Sequence, residues 1–498
     1  MLLFIVAIIA ISGILYQLLI GTLSSYLIGD SVLQFSLTIG LFMTGMGIWA
    51  YISRYFQKRA LKSFFWIEII LAILGGSSII LLKLGYTYLF SVELSFYSLY
   101  TILTLLIGVL VGIEIPLVMH IYKLLGTSKE EDVSNIFTFD YIGALLASLV
   151  FPFVLLPYLG VYNTGVFVGY LNLIAAWLYL IVTRSTLEKN TFIWYIWACL
   201  ITWTYLMSLF LVWERIESFF MRSYYNEPVI YHEQSLYQSI VLTKRWEDIR
   251  LFLNGNLQFL SLDEWRYHEA LIDWPMKLFP SSENIDVLVL WGGDGLAVRN
   301  LLSYKNVRSI TLVDLDPRVV ELAKTQKEML YLNKGSFSDS RVKIIIWDAF
   351  SYVKKERVQQ FDLIVADFPD PRDVGTAKLY SKEFYIMTKS LLQDSWIFIT
   401  QASNAFFSKE SFWSIEKTMK TVFENTRPYH RYLPSFGDWG FILASKKENR
   451  LVDANFCNSS RCDYFDTDYL PIEIIEENTL EKPVIIQYYM RWYKRFNL

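Results

Sequence analysis

Cysteine and histidine are scarce in this chain of 498 residues, which holds three of the first and four of the second. A disulfide-framed scaffold is thereby excluded. Cys457 and Cys462 sit close together in a polar stretch, but with so few histidines near them they make a poor zinc site, and no metal is expected. In an oxidising compartment the pair forms a disulfide, and in the cytosol it stays reduced; Cys199, in an apolar run, reads as packing. Basic clusters with interleaved aromatics are missing too. With 45 Lys+Arg against 48 Asp+Glu the net charge is −3, so no nucleic-acid partner is expected. Nor is there an internal repeat or a low-complexity tract, which excludes a solenoid and a disordered tail as organising features.

Apolar residues are abundant instead. They make up 54% of the chain, with 17% aromatic, and the excess lies before residue 214. Runs near 2–23, 33–53, 64–85, 96–122, 135–157, 161–183 and 191–213 each match the roughly twenty residues that a bilayer requires. Residues 1–213 therefore read as a transmembrane domain of seven helices, the first lacking the cleavage site of a signal peptide. Glu68, Glu114 and Asp140 fall inside it. A charge there costs about 2.5–3.5 kcal/mol on insertion scales, so each must meet a partner or a cavity. A hydrogen-bonded pair that fixes helix packing is the expected arrangement, ahead of a cation or amine path. The polar, aromatic stretch 214–227 reads as a linker or an interfacial helix.

The second half changes character. Val287-Leu288-Val289-Leu290 reads as a buried strand running into Trp291-Gly292-Gly293-Asp294-Gly295, and Leu296 to Leu301 follows at helical spacing. Glycines let the backbone turn tightly, and the helix N-terminus offers free N–H groups to a polar ligand. A second strand, Ser309 to Val313, ends at Asp314, where the ribose-binding acid of a nucleoside site belongs. Ile344 to Ile346 leads to Asp348 and Ala349, an acid suited to an adenine amino group, and Phe361 to Ala366 leads to Asp367-Phe368-Pro369-Asp370-Pro371. An aspartate within the glycine turn would repel a pyrophosphate, so it points to a ligand with positive charge near its middle, such as a sulfonium nucleoside. Upstream, Pro228 to Ile240 and Ile249 to Phe259 read as strands of a small β lid with a hairpin turn at 244–248.

Asn254-Gly255-Asn256-Leu257-Gln258, Asp263-Glu264, Tyr267-His268-Glu269, the Gly-Gly-Asp-Gly turn and the Asp-x-x-Asp-Pro segment, in that order, resemble the spermidine synthases, a family of polyamine aminopropyltransferases. Tyr237-Gln238-Ser239-Ile240 and Pro434 to Phe441 extend the likeness over residues 228–446. The apolar runs and the resemblance together give a multi-pass α-helical membrane domain (1–213) followed by a small β lid (228–275), an α/β Rossmann-like methyltransferase-type sheet (276–446) and a C-terminal tail packing on it (447–498). The resemblance implies transfer of the aminopropyl group of decarboxylated S-adenosylmethionine, a co-substrate, to putrescine or a similar amine, with no cofactor. Asp367 matches the proton acceptor. Gln238, His268, Asp294, Asp314, Asp348 and Ala349 match contacts to nucleoside or amine, with Asp314 on the ribose, and Asp370 matches the second acid of the amine site. Two residues depart from the family pattern: Trp291 stands where the first glycine belongs and Phe436 where a tyrosine is common. Both bear on substrate preference.

The chemistry requires these residue types in any case. A primary amine is mostly protonated near neutral pH, so a positioned base must free its lone pair before it can attack carbon beside a sulfonium. The other readings of the same residues are an S-adenosylmethionine-dependent methyltransferase, and a polyamine transporter or sensor whose second half binds without turnover. Expected partners are a diamine or polyamine and the lipid bilayer, with a homodimer left open. Positive residues cluster after the second, fourth and sixth apolar runs (Arg54, Lys58, Arg59, Lys62, Lys123, Lys129, Arg184, Lys189). With seven crossings that bias puts the second half outside. Supply of the nucleoside puts it in the cytoplasm, which is the expectation adopted for this multi-pass cell-membrane protein, one run then failing to cross or an eighth crossing adding to the seven.

Overall fold

The computed structural model describes residues 1–28, 31–56, 59–89, 93–124, 130–225, 227–355, 359–446 and 474–496, and the chain divides into two compact units, Met1–Pro228 and Val229–Leu498. Cys457 and Cys462 lie outside the described residues; Cys199 is buried.

In the first unit the apolar runs form α1 (Leu2–Ile28), α2 (Ser31–Ile52), α3 (Ala60–Leu89), α4 (Glu93–Leu124), α5 (Glu130–Val150), α6 (Leu156–Val182) and α7 (Lys189–Tyr225). Helices apolar on every side bury against one another or face lipid, and α1 packs against α2, α4, α5 and α6. Among the described residues, six helical stretches are long and apolar enough to cross a membrane. The fifth, Val133–Val182, takes in two of the seven runs expected, joined by a π-turn at Phe151–Leu155. Its 50 residues, at about 1.5 Å each, would make a straight rod more than twice the hydrocarbon thickness. Gly160, at φ 69° and ψ 177°, interrupts it in a conformation that only glycine enters cheaply, and both α5 and α6 return to α1. The expected linker is also absorbed. Glu214 to Tyr225 continue α7, since no glycine or proline stands in the way until Pro228.

Glu68 and Glu114 are both buried. Asn172 donates to Glu68 Oε2 at 3.1 Å, and the Tyr16 hydroxyl donates to Asn172 Oδ1 at 3.1 Å. This chain of polar contacts ties α1, α3 and α6 together. Asp140 is only half-buried.

The second unit opens with four antiparallel strands, β1 (Val229–Gln234), β2 (Ser239–Arg245), β3 (Asp248–Leu253) and β4 (Asn256–Leu260), paired in chain order. The single strands expected over 228–240 and 249–259 are thus two each, Asn254 and Gly255 turning between β3 and β4. Ser235 Oγ accepts the amides of Tyr237 and Gln238 at 3.0 Å each, a side-chain turn that hydrophobic alternation does not report. The hairpin turn is narrower than expected as well, only Trp246 and Glu247 lying between β2 and β3.

Seven further strands make one sheet: β5 (Ile285–Leu290), β6 (Val307–Asp314), β7 (Val342–Ile346), β8 (Phe361–Ala366), β9 (Leu392–Asn404), β10 (Asn425–Leu433) and β11 (Gly437–Ser445), in the order 10-11-9-8-5-6-7. β5 to β9 are parallel and β10–β11 is an antiparallel hairpin added to β9. The central strands are apolar throughout because both faces are covered. From β5 the order runs one way to β6 and the other to β8. Ligands of such sheets bind in the crevice that this reversal opens beyond the strand ends. The four-stranded sheet lays Ile240, Leu242, Leu251 and Phe259 on Leu296, Val319 and Leu322 of the helices beside that crevice.

Candidate active site

Three elements carry acids to the crevice. β5 ends in the turn Trp291–Gly295, β6 ends at Asp314, and β8 runs into Asp367, whose amide donates to Leu290 O at 3.0 Å. The turn needs its glycines. A Cβ on Gly293 would stand 2.6 Å from Asp314 Oδ2, which instead accepts the Gly293 amide at 2.9 Å. Trp291 holds φ 67°, a left-handed conformation that costs a bulky residue roughly 1–3 kcal/mol. Its ring packs on the apolar core of the sheet, so the departure from glycine is absorbed by strain and burial together.

The short helix α8 (Glu264–His268) faces the turn. Arg299, on α9 (Leu296–Leu302), reaches Glu264 with two nitrogens at 2.8 and 3.0 Å, and Glu264 Oε2 lies 2.7 Å from His268 Nδ1. Burial would raise the Glu264 carboxyl, yet His268 and Arg299 outweigh it and bring it down to about 2. Burial would lower His268; Glu264 outweighs that, Asp294 and Asp367 add to it, and the imidazole is raised. His268, Asp294 and Asp367 are thus brought within electrostatic reach of one another.

Asp294 is pushed up to about 6, chiefly by burial, with Asp367 adding and His268 opposing. Its Oδ1 accepts the Leu296 amide at 2.9 Å, closing a side-chain turn just before α9. Burial likewise raises Asp367, against His268 and the Tyr267 hydroxyl, which donates to Asp367 Oδ1. Asp314, buried and pushed up to about 7, accepts the amides of Gly293 and Asp316 at 2.9 Å.

The other expected residues make their hydrogen bonds outside that trio, Asp370 sharing the neighbours Tyr267 and Tyr380 with Asp367. Gln238 donates to Asp316 Oδ2 at 3.0 Å and not to Asp367. Asp348 caps the helix Ala349–Lys355 and pairs with Lys378 at 3.0 Å; Lys378 and Ser351 outweigh burial and lower it, and Ala349 is buried beneath. Asp370 accepts from Ser403 at 2.7 Å. Phe436, at the tyrosine position, packs on Trp439. Asp263 accepts both the amide and hydroxyl of Ser435, so two distant motif segments meet.

Sequence reading quoted Tyr267 within a motif but gave it no role, and it missed Tyr380 and Gln401. These last two fasten the Asp367–Pro371 loop: Tyr380 donates to Pro369 O at 3.0 Å and Gln401 to Phe368 O at 2.6 Å. Both belong to elements that carry no motif.

Residues 264–456 match the family described as spermine/spermidine synthase domain. The polyamine aminopropyltransferase of Oceanobacillus iheyensis is 35% identical over 98% of this chain and 96% of its own, and that of Leptospira interrogans is 37% identical over 98% of each. A solved spermidine synthase from Thermotoga maritima shares 28% identity over 52% of this chain and 83% of its own, with a TM-score of 0.42. Because the full-length matches run through both units, helices and catalytic sheet alike, this chain belongs to the polyamine aminopropyltransferase family, the spermidine synthases.

Proposed function

We propose that the chain moves the aminopropyl group of decarboxylated S-adenosylmethionine to putrescine or a similar amine, and that Asp367 is the base. The carrying observation is Asp367 at the end of β8, held by Tyr267 and within electrostatic reach of Asp294 and His268. In this reading the amine gives a proton to the Asp367 carboxylate, and the freed lone pair forms a C–N bond while the C–S bond breaks. The sulfonium leaves as neutral methylthioadenosine, so the step calls for no general acid, metal or cofactor. Holding nitrogen, carbon and sulfur in line is what remains for the protein to do. Asp294 stands for the cationic end of the nucleoside, Asp314 for its ribose and Asp370 for the amine's second ammonium. Methyl transfer is disfavoured, since the carboxylate of S-adenosylmethionine would meet Asp294 or Asp367.

The test is full-length protein in detergent with decarboxylated S-adenosylmethionine and a panel of diamines, read as methylthioadenosine released. No release with any amine sinks the assignment.

Electrostatics supplies a pH prediction. Below about pH 6 Asp294 is protonated and the site loses a negative charge. Affinity for the cationic nucleoside should therefore rise between pH 5 and 7, by at most about tenfold per pH unit and levelling above the pKa. Neutral methylthioadenosine should lack that component. Parallel pH profiles of the two dissociation constants would remove Asp294 from the cation site.

The catalytic unit is assigned here to the cytoplasmic face, where its nucleoside is supplied. A reporter fused after Leu498 should read cytoplasmic, and an external signal would reverse the assignment.

A further inference from the structure

The C-terminal helix Val484–Phe496 follows the segment outside the described residues and carries no motif of the catalytic sheet. Its buried side, with Ile485 and Tyr489, packs into the sheet's core beside the helix Lys409–Lys420. Tyr489 then does something that packing does not require. Its hydroxyl donates to Asp370 Oδ2 at 2.8 Å, while Ser403 donates to Asp370 Oδ1 at 2.7 Å.

Ser403 holds its place under strain. Its φ is 61°, its side chain is fully buried, and its amide is taken by Gln401 Oε1 at 2.7 Å, the same glutamine that fastens the Phe368 carbonyl. A non-glycine residue in that conformation persists only where its surroundings over-determine it, and such sites cluster where geometry matters. The Arg372 guanidinium, two residues past Asp370, lies over the Tyr489 ring at 5.5 Å and donates to Asn256. Asp370 is therefore a half-buried carboxylate whose two oxygens are each aimed by a neutral hydroxyl. Neutral donors orient an anion without cancelling its charge, which suits a carboxylate that must receive a mobile cation.

We propose that Tyr489 is a positioning residue of the acceptor site, so that the C-terminal helix selects amines bearing a second ammonium. The proposal rests on the reading of Asp370 as the holder of that ammonium. By fixing the carboxylate plane, the hydroxyl favours acceptors whose far ammonium reaches Asp370 while the near nitrogen stands at Asp367. Tyr489 touches neither reacting nitrogen nor carbon in this scheme and acts through Asp370 alone.

The experiment compares two acceptors on full-length protein in detergent: 1,4-diaminobutane, with a second ammonium, and butylamine, equal in chain length but without one. Tyr489→Phe is expected to raise KM for the diamine about tenfold with kcat within about twofold, the pattern of lost uniform binding. Tenfold corresponds to about 1.4 kcal/mol, the size of one hydrogen bond to a charged group. The ratio of kcat/KM for diamine over monoamine should fall by the same factor, while methylthioadenosine affinity stays put. Ser403→Gly removes the other donor and relieves the positive φ, so it should fold and lower the ratio likewise. An unchanged ratio in both variants, or equal losses with both amines, overturns the proposal. Wild-type protein that releases no methylthioadenosine would instead fail the underlying reading of the reaction.

Discussion

Asp367→Asn is expected to reduce aminopropyl transfer about 10²–10⁴-fold, the usual cost of removing a positioned general base. The amide keeps the shape of the carboxyl and still accepts from Tyr267, so the loss should fall on turnover and not on folding. Methylthioadenosine, which needs no base, should bind as before. A carboxylate raised by burial is a better base toward an ammonium than an exposed one, and Asp367 is raised. Exogenous base should restore little, because the crevice that raises the carboxyl also restricts access. Wild-type turnover in the Asn variant, measured as methylthioadenosine released per minute, would assign the proton elsewhere.

The second large effect concerns stability. Arg299→Leu keeps an apolar stem but strips Glu264 of a cation that meets both of its oxygens. Breaking a buried pair by removing one partner costs about 3–5 kcal/mol, because the remaining charge stays buried. At roughly 2–4 °C per kcal/mol for a unit of this size, thermal unfolding of the catalytic unit should begin some 6–20 °C lower. The sign with pH follows from Glu264, whose carboxyl is depressed to about 2 against an ordinary 4.5. Its contribution is present above the ordinary value and is lost as pH falls through the depressed one. The gap between wild type and Arg299→Leu should accordingly be widest near neutral pH and shrink on acidification, since the variant then protonates Glu264 freely. A constant gap from pH 7 to pH 3 would show that lost packing, and not the charge, accounts for the effect.

His268 ties the two predictions together. It is hydrogen-bonded to Glu264, which Arg299 holds, and it lies within electrostatic reach of Asp294 and Asp367. Arg299→Leu should therefore disturb the acids of the crevice as well as the fold.

Much of this was legible in the chain. Strand, glycine turn, helix and spaced acids are local patterns: apolar runs predict β5, β6, β7 and β8, and strand ends predict where Asp294, Asp314, Asp348 and Asp367 stand. Apolar length likewise predicts the helical half. Local pattern failed where a side chain made the turn, as Ser235 does between β1 and β2.

What the sequence by itself determined was which residues bear charge, which runs bury, and in which order acids follow strands, because those depend on spacing of a few residues. Partnership was decided only by the tertiary structure. Gln238 went to Asp316 and Asp348 to Lys378, while Tyr267 came to Asp367 and Tyr489 crossed 119 positions to reach Asp370. A carboxylate's basicity and aim are set by whichever dipoles and charges lie within a few ångströms, and sheet topology, not proximity along the chain, chooses those neighbours.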